Sequence, residues 1–119
     1  MGRPLGRLKR REDFLRVAAA RTKRVANGFV LQACPRPDDS EELRVGFTAS
    51  RKVGGAVQRN RTKRRLRVVA RNVLTELGKP GTDYVLIGRR DTATMPFETL
   101  ENDLRHAVTK ISQPRRNRT

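Results

Sequence analysis

The residues with the clearest chemical potential are the cations of residues 54–74, GGAVQRNRTKRRLRVVARNVL. Two glycines lead into a run of arginine and lysine, and no acidic residue occurs from Arg51 to Arg71. Like charges on neighbouring helical turns repel each other, so folding alone gives no reason for this pattern. Arginine binds phosphate through two parallel hydrogen bonds and stacks on bases. The segment therefore predicts a surface that a polyanion neutralises.

Apolar residues within this segment recur at helical spacing and predict a long helix over residues 58–77. Its apolar stripe consists of Leu66, Val69, Ala70, Val73, Leu74 and Leu77. At about 100° per residue, Arg61, Arg64 and Arg71 lie on the opposite, solvent side, and Arg65 lies on one flank. A second stripe, bordering the buried one, consists of Asn60, Lys63 and Arg67. The helix should present one cationic surface to solvent and another along any groove beside it.

Few side chains are suited to catalysis. His106 is the only histidine, and its offset from Leu104 and Val108 predicts an exposed helix residue. The acidic residues of 38–42 predict a solvated turn, whereas a nuclease needs inward-facing carboxylates for a metal or a positioned acid–base pair. Cys34 is the only cysteine and is predicted to be a small apolar strand residue, with no intrachain disulfide. The sequence predicts a binding protein with no active site, metal site or tightly bound cofactor of its own.

The net charge of +16 indicates the class of partner. A charge this large on 119 residues suits nucleic acid or an anionic membrane. No apolar run approaches the ~20 residues of a membrane-spanning helix, and the start MGRPLGRLKRR lacks the apolar stretch of a signal peptide. No helix-turn-helix, zinc ligands or zipper accompanies the basic helix, which favours RNA over DNA. We therefore expect an RNA-binding, cytoplasmic protein with no membrane partner.

The remaining segments predict one small α/β domain over residues 1–119. A basic arm (1–8) should precede a helix (10–20), strands (25–34 and 43–50), the basic helix, a strand (83–90) and a helix carrying Phe97 to Ile111 on one face. The polar tail 113–119 is predicted to be disordered. This order favours an α/β fold with one layer of sheet and helices packed on it.

The segment SRKVGGAVQRNRTKRRLR, residues 50–67, resembles the signature of the protein subunit of bacterial ribonuclease P. The resemblance extends to REDFLRV (11–17), FVL (29–31), LRVGFTASRKVG (43–54) and DYVLIGRR (83–90). It implies an α+β sandwich with a small mixed sheet and a left-handed strand–helix–strand crossover that contains the arginine-rich helix. Pattern reading alone gives no such handedness.

The resemblance also implies a function. In that family a catalytic RNA, using magnesium, removes the 5′ leader of precursor tRNA. The protein binds that RNA and holds the leader in a groove between the sheet, the first helix and the arginine-rich helix. We expect a monomeric protein, one per catalytic RNA, whose partners are the catalytic RNA subunit and precursor tRNA.

The resemblance also implies which residues form the site, at the positions that match the family's motifs. The leader groove should be formed by Phe14, Val30, Gln32, Asn60, Lys63 and Arg67. The catalytic RNA should be contacted by Arg51, Lys52, Arg59, Arg61, Arg64, Arg65 and Arg71. Ala18 and Gln32 occupy positions where many members carry aromatic residues, so base stacking should be weaker here.

Two other functions fit parts of the sequence. A ribosomal protein would share the high positive charge and the size of a small α/β domain, but would not distinguish precursor from mature tRNA. A free-standing nuclease would cleave RNA alone, and the lack of a catalytic set argues against it.

Overall fold

A computed structural model describes residues 5–38 and 40–112, which form a five-stranded mixed sheet with helices on both faces. The strands are β1 (Leu5–Arg7), β2 (Lys23–Val25), β3 (Phe29–Pro35), β4 (Leu43–Ala49) and β5 (Thr82–Gly88). The helices are α1 (Arg11–Ala19), α2 (Ala56–Leu77) and α3 (Phe97–Ser112), with short 3-10 turns at Arg51–Val53 and Arg90–Ala93. The α/β fold predicted from the sequence is confirmed.

The strand order is β1-β4-β5-β3-β2, with β5 at the centre. Helix α2 connects β4 to β5, which lie side by side and parallel, with Val45 opposite Tyr84. On its other edge β5 pairs antiparallel with β3, and β3 pairs antiparallel with β2. The α2 connection is therefore the crossover that the resemblance implies, and its left hand stays a prediction.

Alternation along the strands divides the core between the two faces of the sheet. On one face, Phe29, Leu31 and Leu86 pack with the apolar stripes of α2 and α3 in the main core. On the other face, α1 contributes Val17 to a smaller cluster with Leu8 and Val85. Because α1 has only nine residues, it leaves part of this second face of the sheet uncovered.

Close contact between α2 and the sheet depends on Gly88. A Cβ placed on Gly88 would lie 2.2 Å from Cγ2 of Thr62, a separation that real side chains do not adopt. The absence of a side chain at this position lets α2 lie directly against β5. The contact fixes the height of the basic helix above the sheet.

Several details of the sequence prediction are wrong. Residues 5–7 of the predicted loose arm form β1, which pairs parallel with β4, and the neighbouring Leu8 is buried. The strand expected over 25–34 is two strands, β2 and β3, joined by a turn in which the Ala26 amide donates to the Phe29 carbonyl at 2.9 Å. Sequence periodicity cannot reveal three-residue strands, because partner strands specify them. The predicted tail 113–119 lies outside the described residues.

Two apolar residues expected in the core are partly exposed. Leu77, at the end of the predicted stripe of α2, is 39% exposed, and Phe97, at the start of α3, is 42% exposed. Both lie at helix ends, where the wheel pattern overestimates contact with the sheet. His106 is exposed, as predicted.

Candidate nucleic-acid interface

An open groove of about 510 Å³ lies between α1 and the uncovered part of its sheet face. Val85, Ile87, Gln32 and Thr48 come from three adjacent strands, β5, β3 and β4. Helix α1 and the residues before it contribute Lys9, Arg11, Phe14, Leu15 and Ala18, and Phe47 completes the lining. The groove therefore combines an apolar lining with cations, as a site for a single nucleic-acid strand requires.

Gly46 allows Phe14 to lie directly on the sheet. A Cβ on Gly46 would lie 2.5 Å from Cζ of the Phe14 ring and 3.1 Å from Cβ of Leu8. A larger residue at this position of β4 would displace the ring. The glycine thus fixes the one aromatic side chain that α1 supplies to the groove.

A buried carboxylate anchors α1 to the sheet. Asp83 in β5 is fully buried and accepts two hydrogen bonds from Arg44, from Nε at 2.8 Å and from Nη2 at 2.7 Å. It also accepts a hydrogen bond from Nη2 of Arg16 in α1. Burial alone would raise the pKa of Asp83, but the hydrogen bonds and charges of Arg44 and Arg16 outweigh it and lower that pKa. The ion pairs hold the helix that forms one wall of the groove.

The predicted groove residues are only partly brought together. Phe14 and Gln32 line the groove. Arg67 approaches it from α2, with its guanidinium carbon 5.9 Å from the centre of the Phe47 ring. Val30 lies on the same sheet face as Gln32 by alternation, but not in the groove lining, and neither Asn60 nor Lys63 is part of that lining.

The outer side of α2 carries the predicted solvent-facing cations. Arg61, Arg64 and Arg71 are all exposed, and they share this side with Val57 and Val68. Before the helix, Arg51 and Lys52 are exposed on a 3-10 turn. Arg59 is half-buried and donates from Nη1 to the Gly54 carbonyl at 3.4 Å. One helix therefore presents cations both outward and toward Phe47 of the groove.

Comparison with known proteins decides the family. The model of the Ribonuclease P family matches residues 4–112. This chain belongs to the ribonuclease P protein family. A ribonuclease P protein component from Ruegeria pomeroyi is 53% identical over 110 residues, covering 91% of this chain and 87% of that protein. One from Bacillus velezensis is 40% identical, covering 89% of each.

Solved structures of ribonuclease P proteins share the fold. The protein from Thermotoga maritima superposes with a TM-score of 0.73 at 27% identity, covering 90% of this chain and 98% of that one. The protein from Staphylococcus aureus gives a TM-score of 0.69 at 28% identity, covering 89% and 94%. The family resemblance inferred from the sequence is therefore confirmed.

In this ribonuclease P family member, Arg65 differs in its environment from the exposed arginines of α2, Arg61, Arg64 and Arg71. Its Nε donates to the Thr92 carbonyl at 2.9 Å, its Nη2 donates to the Met95 carbonyl, and its guanidinium lies over the Phe97 ring, 4.2 Å from the ring centre. These contacts tie α2 to the segment that leads into α3. The RNA role assigned to Arg65 by motif stays a prediction, but its observed contacts are structural.

Sequence reasoning missed part of the groove lining. The lining residues not anticipated are Lys9, Arg11, Leu15, Phe47, Thr48, Val85 and Ile87. Alternation within residues 83–88 could have placed Val85 and Ile87 on one face of the sheet. No signal in the sequence says that α1 is too short to cover that face.

No group of three or more histidine, cysteine, aspartate or glutamate side chains that could hold a metal ion occurs within residues 5–38 and 40–112. Among the residues that the structure describes, those lining the groove include no carboxylate. Over the same ranges, no helix is both long enough and apolar enough to cross a membrane.

Proposed function

We propose that this chain is the protein subunit of the ribonuclease P ribonucleoprotein, which matures the 5′ end of tRNA. It binds the catalytic RNA subunit and the 5′ leader of precursor tRNA as a cytoplasmic monomer, one copy per catalytic RNA. The RNA subunit carries out the hydrolysis. The observation that supports this most directly is the arrangement around α2, with exposed arginines on its outer side and Arg67 directed toward the groove.

The groove would hold the leader as an extended single strand. Phe14 offers one ring for base stacking, worth about 1–3 kcal/mol for each base where it occurs. Gln32 supplies an amide that both donates and accepts hydrogen bonds. Lys9 and Arg11 at the groove supply charge for phosphates. The uncovered strip of sheet thus binds a strand without reading its sequence strictly.

The outer side of α2 would neutralise phosphates of the catalytic RNA. Each phosphate contact releases condensed counterions, which drives association and makes it sensitive to salt. The groove lining does not fit magnesium, because it offers no carboxylate. The magnesium of the reaction would therefore be held by RNA, and the protein would lower the concentration needed by reducing repulsion between RNA strands.

The experiment that tests this is cleavage of a precursor tRNA at low magnesium with catalytic RNA from the same organism. The reactions contain wild-type protein, no protein, the Arg61→Gln/Arg64→Gln variant, or the Arg24→Gln/Arg90→Gln variant. All four residues are exposed, and the last pair removes the same charge from other elements. We expect cleavage to require protein and to fall at least tenfold only in the α2 variant.

Two outcomes would reject the proposal. If the protein changes neither the rate nor the magnesium requirement, a ribosomal role becomes the better explanation. If the protein cleaves RNA with no RNA subunit present, it has an active site that the groove chemistry does not account for.

A further inference from the structure

Two arginines from distant parts of the chain meet at the ring of Phe47. Arg7 lies in β1, which pairs parallel with β4, and its guanidinium carbon is 5.9 Å from the Phe47 ring centre. Arg67 lies in α2, and its guanidinium carbon is also 5.9 Å from that centre. Strand β1, absent from the sequence prediction, is the element that brings Arg7 to this position.

The charge of this pair is not compensated within the described part of the protein. Among residues 5–38 and 40–112, neither Arg7 nor Arg67 forms an ion pair. Nε of Arg67 is buried and has no hydrogen-bond partner there. Burial, followed by the charges of Arg7, Arg64 and Arg71, lowers the pKa of Arg67. Adjacent like charges cost free energy, which an anion bound between them would offset.

The position of Phe47 indicates which anion. Phe47 lines the groove beside α1 together with Thr48 and Phe14. Phe47 also packs against the main core under α2, so its ring lies at the border between the groove and the two guanidinium groups. A phosphodiester offers two unesterified oxygens, and a guanidinium fork pairs with such oxygens through charge-assisted hydrogen bonds. A protein carboxylate would match the charge, but the rest of the groove lining is suited to nucleotides.

We propose that Arg7 and Arg67, gathered at the ring of Phe47, bind one phosphodiester group of the RNA strand that occupies the groove. This inference rests on the proposed function and adds β1 to the RNA-binding surface. It assigns both arginines to the same phosphate, so their contributions are coupled.

The test is the salt dependence of binding, measured with the holoenzyme reconstituted from full-length protein and catalytic RNA. Arg7→Gln, Arg67→Gln and the double variant are compared with Arg24→Gln, an exposed arginine of β2. Affinity is measured for precursor tRNA with and without a leader, and separately for protein binding to catalytic RNA. One lost phosphate contact reduces the slope of log K against log salt by about 0.7 for a single strand. We expect this reduction in each single variant and no larger one in the double variant.

The comparisons also identify the strand that supplies the phosphate. A slope change only with leader-containing precursor assigns the phosphate to the leader in the groove and supports the inference. A change only in catalytic-RNA binding overturns it, because the two arginines then bind a strand outside the groove. Slopes equal to that of Arg24→Gln in both measurements overturn it. A double variant that loses twice as much as each single one also overturns it, because two phosphates are then bound independently.

Folding and function are checked separately. Arg7 is exposed, so Arg7→Gln should keep the wild-type circular dichroism and melting temperature even if Arg67→Gln does not. Wild-type protein that binds neither catalytic RNA nor precursor tRNA would reject the proposed function itself. Normal wild-type binding with no effect of Arg7→Gln would reject only this inference.

Discussion

The two faces of one sheet have different roles in this protein. The face under α2 and α3 is closed, with large side chains such as Phe29, Leu86 and Leu104 fully buried. The face under α1 has a smaller cluster and an open groove lined by Val85 and Ile87. Both faces use the same strands, so the difference arises from the helices that cover them. Stability is concentrated on the closed face, and the open face is left available for a ligand.

The largest expected effect is a difference in the free energy of unfolding between substitutions on the two faces of the sheet. Leu66→Ala removes a fully buried side chain from the closed face and should lower the free energy of unfolding by about 2–5 kcal/mol. Leu15→Ala, the same change at a residue of the groove that is 56% exposed, should alter it by about 0.5 kcal/mol or less. Urea denaturation measures both. Equal losses would show that the open face contributes as much to stability as the closed one.

The next effect concerns the anchor of α1. Asp83→Asn should lower the free energy of unfolding by about 1–3 kcal/mol near neutral pH, because charge-assisted hydrogen bonds to Arg44 and Arg16 are weakened. Glu98→Gln, at an exposed residue, is the matched control.

The pH dependence of this loss has a definite sign. The pKa of Asp83 is lower in the folded chain than in the unfolded one, so its stabilisation is complete above the unfolded pKa, about 4. It is lost as the pH falls through the lower, folded pKa, because the unfolded chain then binds the proton more tightly. The difference between wild type and Asp83→Asn should therefore shrink below about pH 4. A difference that stays constant down to pH 2 would contradict the role of the carboxylate charge.

Two adjacent arginines of α2, Arg64 and Arg65, allow stability to be compared with RNA binding at neighbouring positions. Arg65→Gln should destabilise the fold by about 1–3 kcal/mol through loss of its contacts to Thr92 and Met95, and its salt slope of RNA binding tests the RNA role assigned to it by motif. Arg64→Gln should change stability by about 0.5 kcal/mol or less and reduce the slope. Thermal melts and salt titrations of binding measure the two. A reduced slope in Arg65→Gln would show that its guanidinium also reaches RNA.

The smallest expected effect is a gain in affinity for the leader. Ala18→Phe adds an aromatic ring to the groove and should tighten leader binding by about 1 kcal/mol, at the lower end of the range for base stacking. Ala19→Phe, on the same helix but outside the groove lining, is the control. Competition between leader-containing and leaderless precursor tRNA measures the gain. An equal gain in both variants would mean that added apolar surface, and not the groove, improves binding.

The sequence predicted what local periodicity determines. The apolar stripe of α2 as far as Leu74 and the exposure of Arg61 follow from side-chain spacing within one element, and the structure has them. The predictions that failed concern features that depend on residues distant in the sequence. Strand β1 has a charged, three-residue sequence and exists because β4 pairs with it. The contact of Arg65 with the Met95 carbonyl could not be predicted either, since no spacing indicates which carbonyls lie opposite a helix.

The central position of β5 has a consequence for how the chain acquires its structure. Of the strands in the described residues, β5 is the last to be synthesised, yet it pairs with both β3 and β4. Until residues 82–88 have left the ribosome, β3 and β4 have no common neighbour and the five-stranded sheet cannot be completed. Contacts between segments so far apart in sequence slow folding and make it cooperative. The arginines of α2 are therefore translated before β5. In the nascent chain these cations are present before the sheet that orients them is complete.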